Sequence, residues 1–224
     1  MNLKEYQKIQ SYSYNHFCEF LLCKNGSVKE PYFKNKFTKN GSISKKGFEV
    51  HHILEDRVPN LSNPLYAIQF PSSFQEPKNL LYCDILEHYL LHILIVEEIK
   101  NAKLVSDEIK ITLKENSRNY YRLKEEFLKR SQGSTLLKKH LTLQQLRGHL
   151  VGKDLILPGI NGINYIERRI SLSQDKIDQD LFILLKERAK RAKATLLREI
   201  MKIIKSESIS IEACYSVLNA FAIQ

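Results

Sequence analysis

Four of the seven histidines, His51, His52, His88 and His92, fall within 42 of the 224 residues. Imidazole exchanges protons near neutral pH and, when neutral, is the commonest side-chain ligand for a metal ion. His88 and His92 stand four apart, so on a helix both rings occupy one face and can hold a single cation. The same spacing, beside Leu90, Leu91 and Ile93, also suits a core face of hydrogen-bonded imidazoles. His51 and His52 are adjacent, and in a strand adjacent side chains point to opposite faces. One ring can then bind a metal while the other reaches toward a substrate. A second histidine pair, with Asn79 between the two, favours a site over a core.

The elements that must position these residues are short. Phe48 to Ile53 collects aromatic and β-branched residues directly after Gly47, which predicts a strand. Leu80 to Cys83 predicts a second strand, and Asp84 is placed to cap a helix through His88, Tyr89, His92 and Ile95. Residues 56 to 78 hold four of the six prolines, a density that excludes a long helix and points to an irregular loop. Upstream, residues 4 to 22 read as one amphipathic helix with Tyr6, Ile9, Phe17, Phe20 and Leu21 facing a core. Lys24 to Gly47 carries seven lysines against one glutamate, with Tyr32, Phe33 and Phe37 interleaved. Phosphate contact with aromatic anchoring and an ordinary packed loop both fit that pattern. Helical spacing returns over 105–131 and 134–150. Pro158-Gly159 and Asn161-Gly162 break it between Leu155 and Ser171. A long helix is predicted from Gln174 to about Lys205, with Leu181, Leu185, Ala189, Ala192, Leu196 and Ile200 as its apolar stripe. Residues 208 to 222 form a last helix or a mixed element.

Lys and Arg outnumber Asp and Glu by 35 to 25, a surplus that favours a polyanionic partner. The four cysteines make no CxxC pair, which argues against a cysteine-held zinc site and suits a reducing cytosol. The amino-terminal residues lack the apolar core of a signal peptide, and no uncharged apolar run approaches the roughly 18 residues that cross a bilayer. A cytoplasmic protein without a membrane partner is expected.

The run Glu49-Val50-His51-His52-Ile53, then Asn79-Leu80-Leu81-Tyr82, then Glu87-His88-Tyr89-Leu90-Leu91-His92 resembles the HNH endonucleases. Within them it is similar to the phage, mobile-element and restriction-type branch. The resemblance covers about 50 residues of the chain. It implies a ββα-metal fold in which a hairpin and a helix clasp one divalent ion, Mg, Mn, Ni or Zn. It also implies roles: His52 as the general base, Asn79 as the loop residue that orients it, and His51, His88 and His92 as metal ligands, with a phosphate contact the alternative for His92. The chain departs from the family twice. Leu54-Glu55-Asp56-Arg57 replaces the expected Pro and Gly, and the interval from His52 to Asn79 is longer than usual. The extra residues, Arg57 to Glu76, are expected to contact DNA or the rest of the protein. Glu55 and Asp56 are within reach of the metal but are expected to be exposed loop acids, and Glu49 is expected to share the face of His51, as an outer partner of the site or as a surface residue.

The fold class expected is α+β and mostly helical: a small HNH ββα-metal core, a helical amino-terminal element and a helical carboxy-terminal half. The segments are 1–46, an N-terminal helix and basic loop; 47–102, the nuclease core; and 103–224, a helical region for DNA recognition or dimerisation. Sequence specificity must come from outside a backbone-cutting centre. Lys186, Arg188, Lys190, Arg191 and Lys193 form the densest basic stretch, and Asn161, Asn164, Arg168 and Arg169 are a second group suited to base edges. A solvated helix face is the plain alternative for the first group. The leading expectation is a metal-dependent endonuclease on double-stranded DNA, of restriction type and acting as a homodimer, because one such centre cuts one strand. The alternatives are a homing-type nicking or cleaving enzyme, a noncatalytic zinc-stabilised DNA-binding protein, and a nonspecific nuclease.

Overall fold

The computed structural model describes residues 1–34, 38–43, 45–58, 60–99, 109–111, 113–115, 117–118, 121–122, 125, 157, 159–172, 176–209 and 214. The described chain is mostly helical, with one two-stranded antiparallel sheet. Its elements are α1 (Leu3–Ile9), α2 (Tyr14–Asn25), β1 (Glu49–His52), α3 (Pro64–Ala67), β2 (Leu80–Cys83), α4 (Ile85–Ile99), α5 (Ile160–Leu172) and α6 (Gln179–Ser206). Among the described residues, no helix is long and apolar enough to cross a membrane.

The chain forms two compact units, Met1–Asn101 with Ile156–Ala194, and Ala102–Leu155 with Thr195–Gln224. The stretch 103–224 is therefore divided between them. All four clustered histidines lie in the first unit. In the second, the described residues between 109 and 125 are helical, and Lys114 pairs with Glu207 at 2.6 Å. The expected helices over 134–150 and 208–222 fall largely outside the described residues.

In the first unit the sheet pairs Glu49 with Cys83, Val50 with Tyr82, His51 with Leu81, and His52 with Leu80. Strand alternation gives it two faces. Glu49, His51, Leu81 and Cys83 share the face covered by α2 and α4. Val50, His52, Leu80 and Tyr82 share the other, where Val28, Tyr32, Phe33 and Ile43 pack onto Leu80, Val50 and Tyr82. The aromatic residues of the lysine-rich segment are thus core residues, which decides for packing at Tyr32 and Phe33. Lys39 lies over the Tyr32 ring at 5.4 Å, and Lys45 over Phe48 at 4.4 Å. Phe37 lies outside the described residues.

Asp84 caps α4 as expected, accepting from the N–H groups of Leu86 and Glu87 at 2.9 and 2.8 Å. Glu87 returns the bond to the Asp84 N–H at 2.8 Å, completing a reciprocal cap. Its carboxylate is buried and also accepts from Lys24 and Asn25 of α2, at 2.6 and 2.9 Å. The start of α4 is thereby tied to the end of α2.

Two expected elements differ. The single helix over 4–22 is two, because Ser13 adopts an extended conformation and caps α2 by accepting from the His16 N–H. The predicted break from Leu155 to Ser171 contains α5. Pro158 and Gly159 precede this helix, and Ile160, Ile163, Ile166 and Ile170 make a buried stripe at helical spacing. Asn161-Gly162 falls in its first turn, where a poor helix former costs little. The stripe of α6 is as expected, with Leu181, Leu185, Ala189, Ala192, Leu196 and Ile200 all buried.

Arg188 of α6 is half-buried in the first unit and binds Glu97 of α4 through two nitrogens, at 2.9 and 2.7 Å. It also donates to the Tyr6 hydroxyl and the Gln10 carbonyl, at 3.0 and 3.1 Å. The guanidinium therefore staples α1, α4 and α6. Arg188→Ala should lower unfolding free energy by about 1–3 kcal/mol, the range for a charged hydrogen-bonded group whose partners lose their bonds. A urea midpoint unchanged from wild type would show that the staple contributes nothing.

Candidate metal centre

His51 on β1 and His88 and His92 on α4 place one ring nitrogen each within 4.8 Å of one another. The expected ligand trio is therefore brought together, and His52, on the opposite strand face, is not part of the group. Burial is nearly complete: His51 is 1% exposed and His92 6%. Burial, aided by the neighbouring rings, pushes His51 and His92 well below the ordinary imidazole value, and burial alone takes His88 down to about 4. The rings are neutral at pH 7, the state in which imidazole offers a lone pair.

Hydrogen bonds at the far side of each ring determine which nitrogen faces the cluster. Tyr14 has one hydroxyl proton, and it goes to the Ile53 carbonyl at 2.9 Å. At 2.8 Å from His51 Nε2 the same oxygen must therefore accept, so Nε2 carries the proton and Nδ1 keeps its lone pair. That Nδ1 is buried without a hydrogen-bond partner. His88 donates from Nδ1 to Glu49 at 2.5 Å, which turns the Nε2 lone pair toward His92 Nε2 at 3.1 Å. Glu49 does share the face of His51, as expected, and it also pairs with Arg169 of α5. A carboxylate behind a histidine is the usual outer support of a metal-binding imidazole.

The orphaned lone pair on His51 and the two ring nitrogens converging beside it, once His92 gives up the Nε2 proton it shares with His88, suit a divalent cation of the borderline class, Zn or Ni, and tolerate Mn or Mg less tightly. Glu55 belongs beside them. It is 8% exposed, not the exposed loop acid expected, because the 3-10 turn Ile53–Asp56 follows β1 directly and turns its carboxyl inward. Oε2 lies 3.7 Å from His51 Nδ1 and 3.8 Å from His92 Nε2. Burial pushes its acid up to about 8. Asp56, by contrast, is only partly buried and pairs with Arg57.

On the other sheet face, His52 is 1% exposed and donates from Nε2 to Gln75 Oε1 at 2.8 Å. Its Nδ1 is buried and unpartnered, and Tyr32 packs on the ring with centroids 4.5 Å apart. Burial is the main cause that takes His52 down to about 4. Asn79 does not touch the ring. It donates to the Ser73 carbonyl at 2.8 Å and so fixes the 3-10 turn Ser72–Gln75 that carries Gln75. Part of the long interval, Arg57 to Glu76, therefore packs against the protein: Leu61 is buried, and its carbonyl accepts from Gln75 at 3.2 Å.

α5 approaches from the third side. A Cβ placed on Gly162 would overlap the His92 ring, and one on Gly159 would meet the His92 carbonyl at 2.6 Å. Of the second basic group, Arg169 reaches Glu49, while Asn161 and Arg168 are exposed. Asn164 sits 3.3 Å from Lys193. Lys193 is mostly buried against Asn164 and Glu167, and Arg188 is bound to Glu97. Lys186, Lys190 and Arg191 are exposed on α6. The basic stretch is thus split, with Arg188 and Lys193 engaged inside the first unit.

Tyr14, Gln75, Glu49, Glu55 and Gly162 complete the arrangement, and only Glu49 and Glu55 had a signal in their position near the histidine pair. Gly162→Ala would ordinarily help a helix by up to about 1 kcal/mol. Here the added methyl meets a buried ring, so a net loss of about 1–3 kcal/mol is expected in urea unfolding. A variant more stable than wild type would refute the close packing. The metal-free protein should also lose thermal stability as pH falls from 6.5 toward 4, because unfolded histidines take up protons that the buried rings refuse. Glu55 acts oppositely, costing stability as pH rises from 4.5 toward 8, but one acid opposes four rings. A melting temperature flat between pH 6.5 and 4 would contradict neutral burial of the rings. No family model, curated protein or solved structure matches the chain.

Proposed function

We propose that the protein is a metal-dependent HNH-type endonuclease that hydrolyses phosphodiester bonds of double-stranded DNA, with a ββα-metal core formed by β1, β2 and α4. The observation that carries this reading is the convergence of three neutral imidazoles from a strand and a helix, with a fourth on the reverse strand face. In that reading His51, His88 and His92 hold one divalent ion. When bound, the ion supplies positive charge for the phosphorus centre and the departing 3′ oxygen.

His52 is the base. Its Nε2–H stays on Gln75, leaving Nδ1 as the atom that takes the proton from the attacking water. Once protonated, the ring is steadied by the same Gln75 oxygen. Asn79 acts at one remove, by holding the turn that presents Gln75. Tyr32 covers His52, so engagement of DNA must displace that ring before water reaches Nδ1. Lys186 and Lys190 on α6, with Asn161 and Arg168 on α5, are exposed groups suited to phosphate and base contacts. A restriction-type double-strand cut requires two such centres, hence a homodimer. A homing-type enzyme that nicks or cleaves uses the same chemistry.

A second reading, a noncatalytic zinc-stabilised DNA-binding protein, is favoured by the burial of His51 and His92, with His88 only partly exposed. Closure of a zinc site by all four histidines is not built, since His52 faces away from the other three.

Supercoiled plasmid and long linear DNA incubated with Mg²⁺, Mn²⁺, Ni²⁺ or EDTA test the proposal. Discrete fragments are expected, abolished by EDTA and slowed about 10²–10⁴-fold by His52→Ala, the range for losing a general base. Nicked plasmid would favour the homing-type reading, and a smear a nonspecific nuclease. Intact DNA with every metal, from a protein that retains zinc, would overturn catalysis and favour the second reading.

A further inference from the structure

We propose that Glu55 is a fourth ligand, so that the centre holds its ion through three imidazoles and one carboxylate; this rests on the metal-centre reading above. The resemblance to HNH enzymes supplies no such role, because Glu55 stands within the stretch where this chain departs from the family pattern.

The geometry points to it in three ways. First, Oε2 lies 3.7 Å from His51 Nδ1 and 3.8 Å from His92 Nε2, and those rings belong to the converging trio. An ion about 2.1 Å from each donor sets neighbouring donors roughly 3.0–3.4 Å apart, in octahedral or tetrahedral order. The His88–His92 pair is already at 3.1 Å, and toward His51 and His92 Glu55 needs to close by only a few tenths of an ångström. Second, the nearest ring atom, His51 Nδ1, is a lone pair fixed by Tyr14 and buried without a hydrogen bond. It cannot donate to Glu55, and at 3.7 Å no hydrogen bond joins the two groups, a gap that a cation between the lone pair and the ionised carboxylate would fill. Third, the 3-10 turn Ile53–Asp56 turns the carboxyl inward, and the chain beyond the turn is anchored at Leu61. Leu61 is fully buried, so the loop that carries it is packed and not free to withdraw.

A His3Glu set has a consequence for metal choice. Four protein ligands fill a tetrahedral ion but leave two positions on an octahedral one. Zinc should therefore bind tightly and serve poorly, whereas Mn²⁺ or Ni²⁺ leaves room for water and a phosphate oxygen.

The test measures metal binding directly, on the full chain. Zn²⁺ affinity is determined by chelator competition, and the visible spectrum of the Co²⁺-loaded protein reports its ligands. Wild type, Glu55→Gln, Glu55→Asp, His88→Ala and His52→Ala are compared, with circular dichroism as the check on folding. Glu55→Gln is expected to weaken Zn²⁺ binding at least 10-fold and to alter the Co²⁺ bands, with His52→Ala changing neither. Glu55→Asp, which keeps the carboxylate, should recover part of the affinity. If Glu55→Gln binds Zn²⁺ like wild type with unchanged Co²⁺ bands while His88→Ala loses binding, the fourth-ligand proposal is overturned and the three-histidine centre stands. If wild type itself takes up neither ion, the centre and the fourth ligand fall together. Should Glu55→Gln prove misfolded, Glu55→Asp decides alone: bands and affinity identical to wild type would overturn the proposal.

Discussion

A ring nitrogen in a protein interior must either share a hydrogen bond or be left bare at a cost of about 1–3 kcal/mol. The first unit of this molecule is arranged around that constraint. His51, His88 and His52 each spend one nitrogen on a partner, Tyr14, Glu49 and Gln75 respectively. Those outer bonds decide the tautomers, and the tautomers decide which lone pairs face inward. The reciprocal cap between Asp84 and Glu87, locked by Lys24 and Asn25, sets where α4 begins and so the angle at which His88 and His92 are presented. The bare Nδ1 of His51 is the residue of this arrangement, and a cation is the partner that would settle it.

The sheet matters more as a partition than as a platform. Four residues of β1 suffice to send His51 to the α4 face and His52 to the face lined by Tyr32 and Gln75. On the proposed reading this separates ion holding from proton transfer while keeping the two rings one peptide apart. The irregular segment between the strands serves both faces: its first turn brings in Glu55, and its last brings in Gln75. α5 adds a constraint of size, since Gly162 lets its backbone lie directly on His92.

Charge is distributed with less economy than a count of lysines suggests. Arg188 and Lys193 of α6 are engaged with Glu97 and with Asn164 and Glu167. Lys45 and Lys39 lie on aromatic rings. The net positive charge is therefore partly structural, and the surface left for a polyanion is narrower than the composition alone implies.

Much of the local structure was legible in residue order. Alternation at His51-His52, the spacing of His88 and His92, the Asp84 cap and the prolines of the intervening loop are short-range signals, and each is determined by neighbours within a few positions. The His88–His92 pair could be named for the same reason, whereas the choice of His51 over His52 as the third ligand came from the likeness to the HNH endonucleases. The sequence could not show that Glu55 is buried or that Tyr14 assigns a tautomer. Nor could it show that Gln75 holds His52 or that Gly162 is shaped to a ring. These depend on contacts between residues from 23 to 70 positions apart, which only packing brings together. α5 was missed because Asn161-Gly162 reads as a turn when the ring that requires its small side chain is 70 residues away. Local periodicity determined the elements; desolvation and close packing between distant segments decided which of their polar atoms face one point.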